Sequence, residues 1–287
     1  MCGIFGLVSL KEETIDYRQL KKSNNYLSHR GEDGEGYWAE GVVGLAHKRL
    51  AIIDLSENAS QPMSSENKRY MISYNGEIYN FRELRSQLEN KGMIFKSSSD
   101  TEVVINAYQY WGEDAFNKFN GMFAVSIWDR KKKELVLARD RYGIKPLYYS
   151  KINNFFLFGS EAKSIFFFEK FERKINLSSV YEYFTFQNLL SENTFFRDIY
   201  ILPQGSIGKF DLQNQKINIK KYWDFDFDKR NNNTKKYSYG EKIENLSYLF
   251  ENAVKRQLIS DVEVGSYLSG GIDSGSVAYV ASKNLKN

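Results

Sequence analysis

The sequence holds a single cysteine, Cys2, and only two histidines in 287 residues. One thiol cannot form an intramolecular disulfide framework, nor can it build a metal site on several thiolates. A reducing, cytoplasmic setting fits this usage, and no metal-ligand set stands out. Long apolar runs are also missing: none approaches the ~20 residues of a membrane-spanning helix, and residues 1–10 carry no basic segment ahead of their apolar stretch. Neither membrane insertion nor export is expected. Charge of one sign is lacking too. The 40 basic and 36 acidic residues are mixed along the chain for a formal net charge of +4, which leaves no basic stripe to track phosphates and no expectation of nucleic-acid binding. Internal repeats and low-complexity tracts are absent. What is present is 42% hydrophobic residues, enough for one substantial core and part of a second.

Tyr17, Leu20, Asn24 and Leu27 stand at roughly helical spacing, and a Gly-rich segment over 31–36 stops the pattern. Asn80 with Glu83 three residues on reads as a cap before Leu84 and Leu88, ended by Gly92. Asp100 opens a further helix that runs to Trp111 and stops at Gly112. Strand-like runs cover 44–53, 70–74, 122–128, 134–138 and 155–158, with a hairpin turn at 129–133. Clustered strands and clustered helices imply an α+β layered domain with antiparallel sheets, because parallel sheets need a helix between most strands. That domain is expected over 1–223. A polar linker follows over 224–240, with Asn231, Asn232 and Asn233 in a row. Within the remaining 241–287, Ile243, Leu246, Leu249, Phe250, Ala253, Val254 and Leu258 mark one helix face. An apolar strand over 262–268, a Gly-rich turn and a second helix come next.

A cysteine at position 2 has an unusual option. Aminopeptidases remove an initiator Met ahead of a small residue, which leaves a cysteine with a free α-amino group. That amine titrates at ~7.7–8.0 and a free thiol at ~8.5, so one residue supplies nucleophile and base without a histidine. A stray surface thiol near a loose chain end is the competing reading of Cys2 alone. Gly3 and Gly6 allow close backbone approach to a ligand, while Ile4, Phe5, Leu7 and Val8 anchor a strand in a core. His29 and His47 are then left for core packing or hydrogen bonding.

Several motifs stand in order: Met1 to Gly6 as Met-Cys-Gly-Ile-Phe-Gly, His29-Arg30-Gly31 with Asp33, Arg49-Leu50-Ala51-Ile52-Ile53-Asp54, Asn75-Gly76-Glu77-Ile78-Tyr79-Asn80, Ser99-Asp100-Thr101-Glu102, the 139–147 run, Ser160-Glu161-Ala162-Lys163 and Ser269-Gly270-Gly271-Ile272-Asp273-Ser274. Together they resemble the glutamine-hydrolysing asparagine synthetases over essentially the whole chain. The resemblance implies a four-layer αββα N-terminal-nucleophile sandwich followed by an incomplete α/β ATP-pyrophosphatase domain.

It also implies roles. Cys2 is the nucleophile, with Asn75 and Gly76 as the oxyanion hole. Arg49 takes the glutamine α-carboxylate, which a guanidinium fork matches, and Asp100 takes its α-ammonium. Leu50, Ile52 and Ile53 line the pocket, and Glu77 meets the amino or amide end of the substrate. By themselves these residues permit blander readings: a surface charge for Arg49, a helix N-cap for Asp100 and a hairpin turn for Asn75-Gly76. The 139–147 run reads as packing, and 160–163 as a strand-to-helix turn with packing or domain contact as its role. Leu268, Ser269, Gly270, Gly271, Asp273 and Ser274 resemble a pyrophosphate-binding loop for ATP, placed between a strand and a helix N-terminus.

Glutamine hydrolysis needs no cofactor, whereas ATP and Mg²⁺ serve the complete synthetase. Ammonia would go to an adenylated aspartate carboxylate. Another carboxylate acceptor, such as a polysaccharide uronic acid, and a non-catalytic glutamine-binding remnant remain alternatives, and a homodimer is left open. Glu32 stands where the family has proline after His-Arg-Gly, which loosens the expected loop, and Gly275 stands where a second serine is common. The chain stops at Asn287 just after the second helix of its last segment. Alone, it is expected to carry only the glutaminase half-reaction. Mature, active protein should lack Met1, because an acylated amine cannot act as base; intact mass measurement of active protein decides it, and retention of Met1 in fully active material sinks the proposed base.

Overall fold

The architecture was obtained as a computed structural model that describes residues 1–11, 13–227 and 237–285. Much of the 224–240 segment, including Asn231 to Asn233, lies outside the described residues. The described chain divides into two compact units, Met1–Asp224 and Phe225–Asn287.

In the first unit, residues 3–9 are apolar or small on both faces, and the strand they form, β1 (Gly3–Ser9), is buried throughout. The elements that follow are α1 (Tyr17–Asn25), β2 (Gly34–Glu40), β3 (Val43–Arg49), β4 (Met63–Ser64) and β5 (Tyr70–Ile78). Next come α2 (Phe81–Glu89), α3 (Asp100–Trp111), α4 (Ala115–Lys118), β6 (Gly121–Asp129), β7 (Glu134–Arg139), β8 (Tyr148–Ile152) and β9 (Phe155–Gly159). The unit is completed by α5 (Ala162–Phe166), α6 (Leu177–Phe186), β10 (Tyr200–Ile201), β11 (Ser206–Asp211) and β12 (Lys216–Lys221).

Among the described residues the strands form two six-stranded sheets, ordered β10-β8-β9-β1-β3-β2 and β12-β11-β7-β6-β5-β4. Every neighbouring pair is antiparallel. Alternate side chains of β1 go to opposite faces. Ile4 and Val8 join Leu45, Phe156, Met71, Trp128, Leu137 and Phe210 in a core between the two sheets. Phe5 and Leu7 join Leu20 of α1 and Ile165 of α5 in a second core on the outer face. On the far side α3 packs on β5, where Tyr108 meets Tyr70 edge-on at 5.4 Å. The layer order is therefore helix, sheet, sheet, helix, the αββα sandwich that the motifs imply.

Three local expectations are corrected, and the Gly-rich 31–36 stretch, which ends the helix pattern as expected, also holds the start of a strand that the sequence reading did not place. The 70–74 strand continues to Ile78, so Asn75 and Gly76 sit inside β5 opposite Ala124 and Phe123 and not in a hairpin turn. Cross-strand pairing overrides the local turn preference of Asn-Gly, and glycine is needed because a Cβ at Gly76 would lie 2.4 Å from Met122 O. The 44–53 run leaves the sheet after Arg49. Asn80 does not cap α2 with its side chain; its amide instead donates to Lys118 O at 3.0 Å and accepts from Asn120 N–H at 2.9 Å.

The loop that Glu32 was expected to loosen is tied down by its neighbours. Asp33 N–H donates to Arg49 O at 3.0 Å, and the Asp33 carboxylate accepts Ala51 N–H at 2.8 Å.

The second unit contains α7 (Tyr239–Gln257) and α8 (Ile272–Asn284). Phe250, Val254 and Leu258 of the first helix segment pack with Val280 and Ala281. The expected strand at 262–268 is absent: these residues are irregular and pair with no strand among the described residues. An extended apolar run becomes a strand only where a neighbour accepts its backbone hydrogen bonds.

The 139–147 run does pack, around one buried carboxylate. Asp140 is 1% exposed and accepts N–H groups from Phe123 (3.1 Å), Tyr142 (3.1 Å), Ile144 (3.0 Å) and Lys145 (3.0 Å). Arg139 beside it donates to the carbonyls of Lys145, Gly143 and Leu202. Asp140→Ala leaves these donors without an acceptor and should cost about 3 kcal/mol of unfolding free energy, measured by urea denaturation. A loss below about 1 kcal/mol would show that the loop holds itself without the carboxylate.

Candidate active site

Residue 2 precedes β1, and three segments fix it there. Arg30 Nε donates to Cys2 O at 3.0 Å, and Ile4 N–H donates to Ser160 Oγ at 3.0 Å. Leu50 N–H reaches Cys2 Sγ at 3.4 Å, while Sγ donates to Leu50 O at 3.5 Å. Arg30 is itself held by Glu161 at 2.9 Å. Although burial opposes it, hydrogen bonds from Arg30, Lys163 and His29 hold the Glu161 carboxyl down at about 2. The 160–163 turn thus packs against the start of β1 within the same unit. Burial pushes the Cys2 thiol up, with the Leu50 hydrogen bond and the amino terminus of the still-present Met1 pulling back, and burial lowers that Met1 amine. Both effects favour a thiol beside a neutral amine over an ion pair in water.

Cys2 opens on a cavity of about 380 Å³. β5 supplies Asn75, Gly76 and Glu77 to its wall, the end of β3 supplies Arg49, the segment after it supplies Leu50, Ile52 and Ile53, and α3 supplies Asp100. All the expected glutamine-pocket residues therefore meet in one place.

Asn75 is 1% exposed, and its Nδ2 donates no hydrogen bond. A buried amide donor without an acceptor is costly, and such groups mark places where something else accepts. Arg49 donates to Ser56 O at 2.8 Å and to Asp54 O, so the chain after β3 curls around the guanidinium and aims it. This is not a loose surface charge.

Asp100 is not the N-cap of α3; Ser99 does that work, its Oγ accepting Thr101 N–H at 3.1 Å. The Asp100 carboxylate instead accepts Tyr74 Oη at 2.8 Å and Ile78 N–H at 3.0 Å. Burial raises its pKa to about 6 against those hydrogen bonds.

Neither histidine lines the cavity. His47 is buried against Tyr74 O at 3.1 Å, and burial pulls it to about 4, so it is neutral near pH 7. His29 contacts Glu161 at 2.7 Å. Sequence reasoning missed Gln61, Tyr74, Thr101 and Lys145, which also line the cavity. Gln61 accepts Tyr74 N–H at 2.7 Å and donates to Thr101 Oγ1 at 3.1 Å, a link that no local spacing could announce.

Residues 1–223 match the family model described as a glutamine amidotransferase domain. The chain belongs to the glutamine amidotransferase family. Residues 245–287 of this amidotransferase match a second model, asparagine synthase. It is 37% identical to the glutamine-hydrolysing asparagine synthetase 3 of Bacillus subtilis (strain 168), with 100% of this chain and 46% of that protein covered. It is 38% identical to asparagine synthetase 1 of the same organism over 98% of this chain and 44% of that protein. The chain thus spans about half the length of the curated relatives it matches. A fold likeness extends to the glutamine phosphoribosylpyrophosphate amidotransferase of B. subtilis, with TM-score 0.58, 19% identity, 77% of this chain and 49% of that chain covered.

Leu268, Ser269, Gly270, Gly271, Asp273 and Ser274 lie in the second unit, at the start of α8. Gly270 has φ +82, Gly271 is an N-cap without a side-chain capping bond, and the Ser269 and Ser274 hydroxyls meet at 2.9 Å. Uncapped N–H groups at the start of a helix fit a phosphate. Among the described residues no cluster of three or more His, Cys, Asp and Glu could hold a metal ion, and no helix is long and apolar enough to cross a membrane.

The raised Asp100 pKa sets a stability test. The folded state binds this proton more tightly than the unfolded chain, so the contribution is present at low pH and is lost as pH rises through about 6. Asp100→Asn keeps an acceptor for Tyr74 and Ile78 without the buried charge. Relative to this variant, the native chain should become less stable by about 3 kcal/mol between pH 4 and pH 8. Urea denaturation across that range checks it, and a pH-independent difference counts against a buried ionised Asp100.

Proposed function

We propose that this chain hydrolyses glutamine through Cys2, freed as the amino-terminal residue by removal of Met1. The observation that carries the reading is the unpaired, buried Asn75 amide in the same cavity as the Cys2 thiol. The Cys2 amine takes the thiol proton as Sγ attacks the side-chain carbonyl carbon of glutamine. Asn75 Nδ2 and the Gly76 N–H receive the oxyanion, where preorganised donors act most strongly because water is excluded. Collapse breaks the carbon–nitrogen bond, and the protonated amine gives its proton to the leaving ammonia. Water then attacks the γ-glutamyl thioester, the amine accepts its proton, and glutamate leaves with Cys2 regenerated. Arg49 and Asp100 hold the α-carboxylate and α-ammonium, and Glu77 borders the amide end.

In the whole protein, ammonia would pass to an aspartate carboxylate activated by ATP. Ser269, Gly270, Gly271 and Ser274 would hold the pyrophosphate at the start of α8, with Leu268 leading into the loop. Asp273, an anion in the first turn of that helix, would meet the phosphates through Mg²⁺. Bound ATP supplies the leaving group that makes a carboxylate reactive toward ammonia.

Replacing Cys2 with alanine should abolish glutaminase activity while glutamine still binds, as read by calorimetry. Asn75→Ala should lower kcat about 10²- to 10³-fold with little change in KM. Arg49→Ala should raise KM roughly ten- to hundredfold, a loss of about 1.5–3 kcal/mol. An unchanged KM in the Arg49 variant would reject the carboxylate contact, and residual glutaminase activity in the Cys2 variant would reject the nucleophile.

A further inference from the structure

Lys145 lies in a run read from sequence as packing, and its backbone does pack, with N–H on Asp140 and C=O on Arg139. Its side chain goes elsewhere. It is 4% exposed and lines the cavity with Cys2 and Glu77, and its ammonium makes no hydrogen bond or ion pair among the described residues. An ammonium that opens on the cavity without a hydrogen-bonding partner is set by the charges around it. The groups that face it electrostatically are Glu77, Arg30, Cys2 and Asp140, with the amino terminus also within reach.

The cavity holds four charged side chains besides the terminus: Arg49, Asp100, Glu77 and Lys145. In the proposed reading, glutamine's own carboxylate and ammonium satisfy Arg49 and Asp100. Lys145 and Glu77 are left beside the thiol.

We propose that Lys145 is a positioning residue for this glutaminase, the buried counter-charge that keeps the Cys2 amine–thiol pair and Glu77 from holding an extra proton near neutral pH. This rests on the reading of Cys2 as a glutamine-hydrolysing nucleophile. The sign follows from Coulomb's law. A fixed cation disfavours a second positive charge on the amine and favours negative charge on sulfur and on the Glu77 carboxylate. Burial pushes the Cys2 thiol and the Glu77 carboxyl up, and Lys145 works against that rise at Glu77 while lowering the Met1 amine, one residue ahead of the position the Cys2 amine takes once Met1 is removed. Burial also lowers Lys145 itself, while the negative charge of Glu77, Cys2 and Asp140 opposes that fall and Arg30 adds to it. Asp100 acts in the opposite sense on Cys2 and Glu77, while Arg49 and Arg30 add to the effect of Lys145 on Cys2 and the amine respectively.

The test uses the full chain and its Lys145→Met and Lys145→Arg variants. One measurement is kcat/KM for glutamine hydrolysis against pH, and the other is the rate of Cys2 alkylation by iodoacetamide over the same range. In the methionine variant the acid limb of both profiles should move up by about one pH unit, which is roughly tenfold slower below the limb, and the curves should converge above it. The arginine variant should stay near the native limb, because it keeps the charge. Should the methionine variant fail to fold, Lys145→Gln replaces it. The proposal is overturned if the native and methionine limbs coincide, or if both variants lose rate equally at all pH values with unmoved limbs, the mark of a packing role. No hydrolysis by the native chain would count instead against the glutaminase reading, and the alkylation profiles would then decide the role of Lys145 by themselves.

Discussion

The site depends on where the chain begins its first strand. β1 is covered on both faces, by the opposite sheet through Ile4 and Val8 and by α1 and α5 through Phe5 and Leu7. A terminal segment is ordinarily loose. Here its placement is as firm as the middle of a core, and residue 2 inherits that firmness one position upstream. Arg30, Leu50 and Ser160 then fix the last freedom by grasping the backbone at Cys2 and Ile4 and the sulfur itself. A catalyst that uses one residue as nucleophile and base needs this, since its amine and thiol have no other scaffold to orient them.

The second constraint is charge kept out of water. Asp100, Lys145, Arg139 and Asp140 are each less than a tenth exposed, and they are solved in different ways. Asp140 and Arg139 are saturated with backbone partners and serve the 139–147 loop. Asp100 receives hydrogen bonds from Tyr74 and Ile78 yet remains difficult to ionise. Lys145 receives none. The two that line the cavity, Asp100 and Lys145, are the less fully engaged by protein. Asn75, buried with an idle amide, belongs to the same pattern. Buried polar groups left without protein partners cost stability and are the groups a ligand could engage.

Much of the site was legible because its residues sit in short motifs whose chemistry is local. Cys2, Arg49 and Asp100 each stand out within a few residues of sequence, and the structure brings all three to one cavity. Their convergence was not legible from spacing. Asn75-Gly76 carries the strongest local turn signal in its region, yet long pairing with β6 keeps it extended. β2 hid in a Gly-rich stretch, and β12, with lysines at both ends and a mixed face, gave no strand signal because an edge strand is kept polar to avoid further pairing. Lys145 was read by its neighbours, as packing, when its backbone and side chain do separate things.

The second unit shows the reverse failure, an element called where none forms. The 262–268 run has a strand's composition, but Tyr267 is fully exposed and Leu268 is 67% exposed. Composition of that kind describes a residue prepared to be covered, and pairing decides whether it is. The same holds for α7. Its apolar stripe is wider than α8 covers, for Phe250, Val254 and Leu258 are packed while Ile243, Leu246 and Leu249 are 51%, 69% and 64% exposed. A helix with apolar residues over so wide an arc is built to bury them against more than one neighbour. The phosphate-fitting loop at the start of α8 inherits this condition. Helix geometry alone presents its N–H groups, and such geometry suits anions in general without choosing among them.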